Sequence, residues 1–173
     1  MSFDVVVAAD LDWGIGKSNG LPWPKLAGDL THFRTLTCAA SPDRQNAVVM
    51  GRKTWESAEV RGRPLPKRTN IVVTRGTIEL PPGVLAAGSL DMALGLAREA
   101  ETTFVVGGAV LFREAFGHKA LRWVYLTRVL GRFACDVSIP NIKALGFAIV
   151  NWDGAREGED NGIRYEIARY AKR

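Results

Sequence analysis

The sequence predicts an α/β fold, with a central mixed, mostly parallel sheet of about eight strands flanked by about four helices. The first supporting observation is that strand-like and helix-like segments alternate along most of the chain, as in parallel sheets with helical connections. The second is that several strand-like segments are apolar throughout, which indicates strands buried on both faces. The third is that the last two strand-like segments follow each other without a helix, which predicts a C-terminal antiparallel hairpin.

The predicted strands are short apolar or β-branched runs between turn-forming residues. They cover residues 3–9, 47–50, 70–74, a short piece within 81–87, 103–106, 123–129, 147–152 and 163–170. Segment 3–9, FDVVVAA, is an almost continuous apolar run, so we expect it to be central in the sheet. The polar segment 153–162 is predicted to be the loop of the C-terminal hairpin.

Four helices are predicted from capping residues and from apolar residues that recur at the helical period of about 3.6 residues. They cover residues 26–37, a turn at 54–57, 90–100 and 109–116. Ser89 precedes the third of them and is a preferred type of N-cap residue. The apolar stripe of that helix is Leu90, Ala93, Leu94 and Ala97.

Length and composition favour one domain spanning residues 1–173, without a disulfide framework. Cys38 and Cys135 are far apart in the sequence, and no signal peptide or membrane-spanning apolar run is present, so we expect a cytoplasmic protein. The net charge of +5 comes from scattered basic residues, so an anionic small ligand fits as well as nucleic acid. His32 and His118 have no acid or cysteine at ligand spacing, so no metal site is predicted and both are interpreted as surface histidines.

Asp29 occupies an unusual position in the first predicted helix. The apolar stripe of this helix runs through Leu26, Leu30, Phe33 and Leu36 or Thr37. Asp29 lies three residues after Leu26 and four before Phe33. A carboxylate on such a stripe needs a hydrogen-bonding partner or a raised pKa, which makes Asp29 a candidate site residue. The alternative is that Asp29 is an ordinary acid that caps the helix or lies in its first turn, where the helix dipole favours a negative charge.

A long connection, residues 10–28, follows the first predicted strand. It contains too many glycines and prolines for regular structure, and loops of this length in compact domains are usually functional. Gly14, Gly16 and Gly20 would let the loop move or approach a ligand closely. The sequence therefore predicts a mobile or ligand-contacting loop directly before Asp29.

Basic and hydroxyl side chains follow two of the predicted strands. Strand 47–50 runs into Gly51, Arg52, Lys53 and Thr54 at a helix start, and strand 70–74 ends in Thr74 and is followed by Arg75. Helix N-termini and cations favour phosphate groups, and ligands of open α/β sheets bind at the carboxyl ends of the strands. A shared anionic ligand is one interpretation, and basic loops that merely face solvent are the other.

Strand 103–106 ends in Gly107 and Gly108, which open directly into helix 109–116. The missing side chains would let backbone approach a pyrophosphate at the helix N-terminus. The full dinucleotide fingerprint is absent, since Ala109 and Phe112 stand where further glycines would be expected.

In order along nearly the whole chain, these segments resemble the dihydrofolate reductase family. The matching segments are VVVAA with GIG, LPWP, DLTHFR, VVMGRKTWES, GRPLPKRTNIVVTR, FVVGGAVLF, VYLTR and YEIARY. Each segment is short, but their common order and spacing are specific. The resemblance implies reduction of 7,8-dihydrofolate to tetrahydrofolate by NADPH, with a hydride to pterin C6 and a proton to N5. It also implies that antifolates bind the same pocket. A monomer is expected by default, since no segment resembles an interface repeat.

The resemblance assigns four residues to catalysis. Asp29 would accept hydrogen bonds from N3 and the 2-amino group of the pterin, and Thr127 would support it. Trp23 would hold an ordered water, and Leu21 would belong to a mobile loop that closes over the nicotinamide and admits the water that protonates N5. The substrate-binding residues implied are Val7, Ala8, Asp29, Leu30, Phe33, Leu65, Arg68, Val106, Phe112 and Thr127.

Within that set, Arg68 matches the clamp on the glutamate α-carboxylate of folate. The implied cofactor-binding residues are Ala8, Ile15, Gly16, Gly51, Arg52, Lys53, Thr54, Thr74, Arg75, Gly107, Gly108, Ala109, Val110 and Leu111. In the family pattern, Thr74 and Arg75 correspond to contacts with the 2′-phosphate that distinguishes NADPH from NADH, and Gly107 and Gly108 to a cis peptide beside the cofactor.

The sequence departs from the family pattern in two places. Val110 stands where some bacterial members have a basic residue, so the phosphates would depend more on Arg52, Lys53 and Arg75. Ala58 stands where many members have a larger aliphatic residue, in a segment longer than that of short bacterial forms. Two alternatives remain: a pyrimidine reductase of the riboflavin pathway type on the same fold, and a basic nucleic-acid-binding domain.

Overall fold

A computed structural model describes residues 1–173 of the protein, with eleven strands and four helices. The strands are β1 (Phe3–Ala9), β2 (Gly14–Gly16), β3 (Ala47–Gly51), β4 (Thr69–Val73), β5 (Leu85–Ala87), β6 (Thr103–Gly107), β7 (Leu121–Val129), β8 (Val137–Ser138), β9 (Phe147–Val150), β10 (Arg156–Asp160) and β11 (Ile163–Lys172). The helices are α1 (Ala27–Cys38), α2 (Arg52–Trp55), α3 (Leu90–Leu96) and α4 (Ala109–Phe116).

Nine strands form one sheet, in the order β10-β11-β7-β1-β6-β3-β4-β5, with β9 also paired to β11. All pairs from β7 to β5 are parallel, and the three pairs made by β11 are antiparallel. The mixed, mostly parallel sheet flanked by four helices is therefore confirmed, as is the central position of β1. The carboxyl ends of β1, β6, β3 and β4 meet at one edge of this sheet.

Helices and loops cover both faces of the sheet, which explains the apolar strands. In β1, Phe3 and Val5 belong to a large cluster that includes residues of α3 and α4, whereas Val6 packs with Phe104 and Tyr125. All of β1 is buried except the half-buried Ala8. The predicted N-cap of α3 is confirmed, because Ser89 Oγ accepts a hydrogen bond from the Met92 N–H at 3.1 Å. No helix of the structure is long and apolar enough to cross a membrane.

The C-terminal hairpin differs from its prediction, because the segment expected to be a loop contains strand β10. The hairpin is formed by β10 and β11 and turns at Asn161 and Gly162, whose φ angles are 50° and 75°. Two central residues with positive φ are typical of the two-residue turns that match the strand twist. Strand β9, residues 147–150, pairs further along the same edge of β11 as β10, while β7 pairs with the opposite edge.

Two helical predictions are also corrected. Helix α3 ends at Leu96, where residues 97–100 continue as turns after the helix-weakening Gly95. The predicted stripe of α1 is buried only at its two ends: Leu26 and Thr37 are buried, whereas Leu30 is 39% exposed. Phe33 is half-buried. The apolar residues Leu30 and Phe33 therefore keep surface that a ligand could cover, and we refer to the space beside them as the cleft.

Candidate active site

The first turn of α1 is held by the C-terminal hairpin. The N-cap residue of α1, Leu26, has no side chain that can accept a hydrogen bond. Instead, the Gly28 N–H donates to Asp160 Oδ2 at 2.9 Å, and the Tyr165 hydroxyl donates to the same oxygen at 3.2 Å. A Cβ at Gly28 would overlap the Tyr165 hydroxyl, so the glycine makes room for this arrangement. The hairpin therefore fixes the backbone directly before Asp29.

Asp29 and Thr127 are brought together, as the resemblance implies. Thr127 Oγ1 donates to Asp29 Oδ1 at 2.7 Å, and Thr127 is in parallel register with Ala8 on the adjacent strand β1. Burial raises the pKa of the Asp29 carboxyl, although the Thr127 hydrogen bond and the charge of Arg156 act in the opposite direction. Since Asp29 Oδ2 accepts no hydrogen bond from the protein, this oxygen is left for a ligand.

His32 lies one turn after Asp29 and is not a surface residue. Only 4% of it is exposed, and its ring packs edge-on against Trp152 with 5.9 Å between ring centroids. Burial first, and the nearby charge of Arg156 second, lower its pKa from 6.5 to about 4. The prediction of a surface histidine is therefore wrong for His32, whereas His118 is half-buried and pairs with Asp91 at 2.8 Å.

The loop between β1 and α1 is anchored at its base by Asp10. This carboxylate accepts hydrogen bonds from the N–H groups of Asp12, Gly14 and Phe133 at 2.8, 2.9 and 3.1 Å, and from the Cys135 thiol at 3.4 Å. Burial alone would raise the pKa of Asp10, but these hydrogen bonds outweigh it and lower the pKa. Sequence reasoning missed this residue, although an acid directly after a buried strand was a usable signal.

The two loop residues assigned to catalysis differ in exposure. Trp23 is 5% exposed and packs edge-on against Phe133 at 5.8 Å between ring centroids. Leu21 is 41% exposed, and its N–H donates to Glu59 Oε1 at 2.9 Å. Ile15 and Gly16 belong to β2, which pairs with β8. The part of the loop nearest α1 is thus packed, and its tip is held by surface contacts.

Arg68 forms part of the wall beside α1. Its guanidinium donates to Thr37 Oγ1 at 2.8 Å and to the Pro66 carbonyl at 2.9 Å, and lies 6.0 Å from the Phe33 ring centroid. The side chain is buried, and this burial lowers its pKa. Leu65 is half-buried nearby, and its N–H donates to Asn70 Oδ1 at 2.8 Å. The remaining N–H groups of Arg68 stay available to an anion.

Arg52 and Thr74 meet at the ends of β3 and β4, because Gly51 and Val73 are in register. Arg52 Nη1 lies 3.7 Å from the position of a Cβ on Gly76, and the Gly76 N–H donates to Thr74 Oγ1 at 3.2 Å. Arg52 also pairs with Glu56 at 3.3 Å on the surface. The side chains of Lys53 and Arg75 are exposed beside them. The predicted cluster of cations and hydroxyls is therefore present at one edge of the sheet.

The Gly107–Gly108 peptide is cis and lies against Thr54. A Cβ on Gly107 would be 2.7 Å from Thr54 Oγ1, so a side chain there would force Thr54 to shift, and a Cβ on Gly108 would make a tight contact of 3.2 Å with the same atom. Helix α4 begins directly afterwards without a side-chain cap. This bare backbone beside a threonine and two exposed cations is a cradle that fits the phosphates of a dinucleotide.

The remaining residues that are predicted to contact the ligands differ in their solvent exposure. Val106 is half-buried at the end of β6, and Val110 is 76% exposed in the first turn of α4. Val7, Leu111 and Phe112 are buried in the core beneath the cleft, where the Phe112 ring stacks on Phe116. Ligand contacts by these residues stay predictions.

Comparisons with known proteins identify the family. A family model described as dihydrofolate reductase matches residues 2–172. The chain is 44% identical over 177 residues to the putative dihydrofolate reductase of human herpesvirus 8 type P, covering 96% of this chain and 84% of that protein. It is 42% identical over 185 residues to the bifunctional dihydrofolate reductase-thymidylate synthase of Zea mays, covering 99% of this chain but only 34% of that protein.

The solved structure of Schistosoma mansoni dihydrofolate reductase matches this fold with a TM-score of 0.87 and 34% identity, covering 100% of this chain and 99% of that one. Fold and sequence together define an oxidoreductase that uses a nicotinamide cofactor. More narrowly, the chain belongs to the dihydrofolate reductase family, which reduces dihydrofolate to tetrahydrofolate. This result favours the predicted activity over the pyrimidine reductase alternative.

Proposed function

We propose that this protein reduces 7,8-dihydrofolate with the pterin ring bound to Asp29 and with NADPH, not NADH, as its preferred hydride donor. The observation that supports this most is the Asp29 carboxylate, which is partly buried, accepts a hydrogen bond from Thr127 at 2.7 Å and is free at its second oxygen. A pterin offers two parallel N–H donors, from N3 and the 2-amino group, which suit a carboxylate. Asp29 therefore orients and polarises the ring.

Protonation of N5 is assigned to a water and not to Asp29. In this arrangement Asp29 Oδ1 is occupied by Thr127, and Oδ2 faces the N3 edge of the ring. The exposed Leu21 lies in the loop next to the buried Trp23, so movement of this loop admits water from one side of the cleft. The Trp23 indole N–H holds such a water in place.

Arg68 is proposed to bind the α-carboxylate of the glutamate tail. Its bonds to Thr37 and Pro66 use Nη1 and Nε, which leaves other donors of the planar guanidinium for a carboxylate. Phe33 and Leu30 lie on the side of α1 that faces this cleft and are partly exposed, which suits contact with an apolar ring between the pterin and the tail.

The cofactor is assigned to the edge formed by the ends of β3, β4 and β6. A bound reduced nicotinamide supplies the hydride for the reaction. Gly51, Arg52, Lys53 and Thr54 with the bare backbone of 107–108 provide phosphate contacts. Thr74 and Arg75 are proposed to bind the 2′-phosphate, which NADH lacks, and this contact is the reason for the NADPH preference.

The remaining assignments are part of the same proposal. Ala8, Ile15, Gly16, Ala109, Val110 and Leu111 are assigned to the cofactor, and Val7, Leu65, Val106 and Phe112 to the substrate. One domain over residues 1–173, a monomeric state, a cytoplasmic location and the lack of nucleic-acid binding stay predictions.

The experiment is to follow the NADPH absorbance band after mixing the protein with dihydrofolate, with and without methotrexate. We expect consumption of NADPH that methotrexate abolishes, and much slower consumption of NADH at the same concentration. Absence of NADPH consumption would contradict the proposed reaction. Equal rates with both cofactors would contradict the assignment of Thr74 and Arg75.

A further inference from the structure

Glu59 connects the loop before α1 to the segment that follows α2. Its Oε1 atom accepts a hydrogen bond from the Leu21 N–H at 2.9 Å. Beside it, the Ala58 N–H donates to the Asn19 carbonyl at 3.2 Å. The two segments are far apart in the sequence, and both contacts lie on the surface.

The sheet topology shows what this connection crosses. The loop follows the carboxyl end of β1, and Glu59 follows β3 and α2, while β6 lies between β1 and β3 in the sheet. Neighbouring strands are about 4.8 Å apart, so β1 and β3 are separated by roughly 10 Å. The loop therefore crosses the end of β6 to reach Glu59. That end holds Gly107 and Gly108, the bare backbone of the cofactor cradle.

The loop tip, residues 17–20, is a closed, hydrogen-bonded turn. Lys17 and Gly20 exchange backbone hydrogen bonds at 3.0 and 3.1 Å, and Ser18 and Asn19 between them have φ angles of 50° and 55°. This is the pattern of a tight two-residue turn. A Cβ on Gly20 would lie 3.4 Å from Glu59 Oε2, so the backbone of the tip approaches the carboxylate closely.

We propose that Glu59 is a positioning residue for the reductase reaction: by holding the Leu21 N–H, its carboxylate keeps the loop closed over the cofactor and slows cofactor release. This inference rests on the proposed placement of the nicotinamide beneath Leu21. Hydrogen bonds to a charged acceptor are stronger than neutral ones, so the carboxylate holds the loop better than an amide would. The Ser18 N–H is held from the opposite side by Asp136 at 2.9 Å, so loss of Glu59 frees one side of the tip only.

The test compares the wild-type protein with Glu59→Ala and Glu59→Gln, and with Glu99→Ala as a charge-matched control. Glu99 is exposed in the turns that follow α3, and its side chain pairs only with the exposed Arg98. Amide hydrogen exchange of Leu21 and Ala58 measures loop opening without cofactor, and exchange at Val5 in the buried β1 reports that the fold is intact. Stopped-flow displacement of bound NADPH by excess NADP⁺ measures release.

In Glu59→Ala we expect Leu21 exchange and NADPH release each to rise roughly three- to tenfold, the range for one lost hydrogen bond. Glu59→Gln should give a smaller increase, and Glu99→Ala none. Unchanged Leu21 exchange in Glu59→Ala would overturn the inference. Faster exchange with unchanged NADPH release would overturn the positioning role as well. Failure of the wild-type protein to bind NADPH would contradict the proposed function instead, and the two results are separable because amide exchange needs no cofactor.

Discussion

The substrate side and the cofactor side of the cleft differ in how firmly the protein already holds the residues assigned to ligands. Arg68 is buried and Asp29 is half-buried, and they are bonded to Thr37 and Thr127 at 2.8 and 2.7 Å. On the other side, Lys53 and Arg75 are exposed, and no hydrogen bond or ion pair fixes their side chains.

This difference follows from what each ligand offers. On the substrate side the proposed polar contacts are few and directed, from the neutral pterin ring to Asp29 and from one carboxylate to Arg68, so recognition depends on single groups that are oriented beforehand. A dinucleotide presents several charges, which exposed cations can attract without a fixed geometry, at the cost of screening by salt. Substitutions on the substrate side should therefore have large effects that salt hardly changes, and those on the cofactor side smaller, salt-dependent ones.

The largest effect is expected for Asp29→Asn. Asparagine keeps the size and still suits the first turn of a helix, but it removes the charge that binds the pterin. We expect kcat/KM at neutral pH to fall by about 3 to 5 kcal/mol, the range for losing two hydrogen bonds to a charged acceptor, while the variant stays folded. Asp153→Asn, at an exposed position, is the control and should leave kcat/KM unchanged.

The pH dependence of Asp29→Asn sharpens this prediction. Its residual activity should rise as the pH falls towards about 5, because substrate that takes up a proton from solution depends less on the carboxylate. Nearly normal activity at neutral pH, or loss of the fold, would show that Asp29 is a structural residue. Measurements of kcat/KM between neutral and acidic pH, together with thermal unfolding, distinguish these outcomes.

The next effect concerns His32, on the same helix. Its folded-state pKa of about 4 lies below the unfolded value of 6.5, so the unfolded chain takes up a proton first as the pH falls. As the pH falls from 6.5 to about 4, His32 therefore lowers the free energy of unfolding progressively. Between pH 7.5 and 5 the loss should be about 2 kcal/mol, at roughly 1.4 kcal/mol per pH unit below the unfolded pKa.

Urea unfolding of the wild-type protein and of His32→Phe at the two pH values measures this contribution. In His32→Phe the fall in the free energy of unfolding should be smaller by about that amount. Asp29 contributes with the opposite sign, because its raised pKa makes protonation favour the folded state, and the comparison of the two proteins cancels this contribution. The same fall in both proteins would contradict the assigned pKa.

Much of the fold could be predicted from local patterns. The bounds of β1 and α4 agree with the prediction, since β1 is one apolar run and α4 lies between two glycine-containing turns. Strand β10 was not predicted, because its sequence REGED is polar and its order comes from pairing with β11. The Asn161-Gly162 pair was a local signal for this hairpin, and it was overlooked.

Site residues could be predicted where their chemical type does not fit the local sequence pattern. They could not be predicted where their role depends on contacts with residues far away in the sequence. Asp29 was found because an acid lies on an apolar stripe, and the family resemblance supplied Thr127. The support from Asp160 was missed because it is 132 residues from Gly28 in the sequence. His32 was misassigned because nothing local indicates that Trp152 covers it.

A third effect is expected for Arg68→Leu, which removes the proposed clamp on the glutamate tail. Binding of dihydrofolate should weaken by about 1.5 to 3 kcal/mol, the usual value for a hydrogen bond to a charged group, and KM should rise accordingly. Small diaminopyrimidine inhibitors lack this carboxylate and should bind as before. Equal losses for both ligands would mean that Arg68 acts through its bonds to Thr37 and Pro66 and supports the cleft wall only.

The smallest effect is expected for Arg75→Ala, and it tests the cofactor side directly. Because Arg75 is exposed, its contact with the 2′-phosphate should contribute about 1.5 kcal/mol at low salt, the lower end of the range for charged hydrogen bonds. The Kd for NADPH should rise accordingly, and that for NADH, which lacks the phosphate, should hardly change.

The effects of Arg75→Ala and Arg68→Leu on ligand affinity should differ in their salt dependence as well as in their size. At an ionic strength of about 1 M the Debye length shrinks to roughly 3 Å, so an exposed cation loses most of its attraction for a phosphate, whereas a buried guanidinium is screened much less. The difference in NADPH affinity between wild type and Arg75→Ala should therefore nearly disappear at high salt, while the difference in dihydrofolate affinity between wild type and Arg68→Leu should persist. Fluorescence titrations of all three proteins at low and high salt measure both. If the Arg75 difference survives high salt, the 2′-phosphate is held in a desolvated pocket, and the contrast drawn between the two sides of the cleft does not hold.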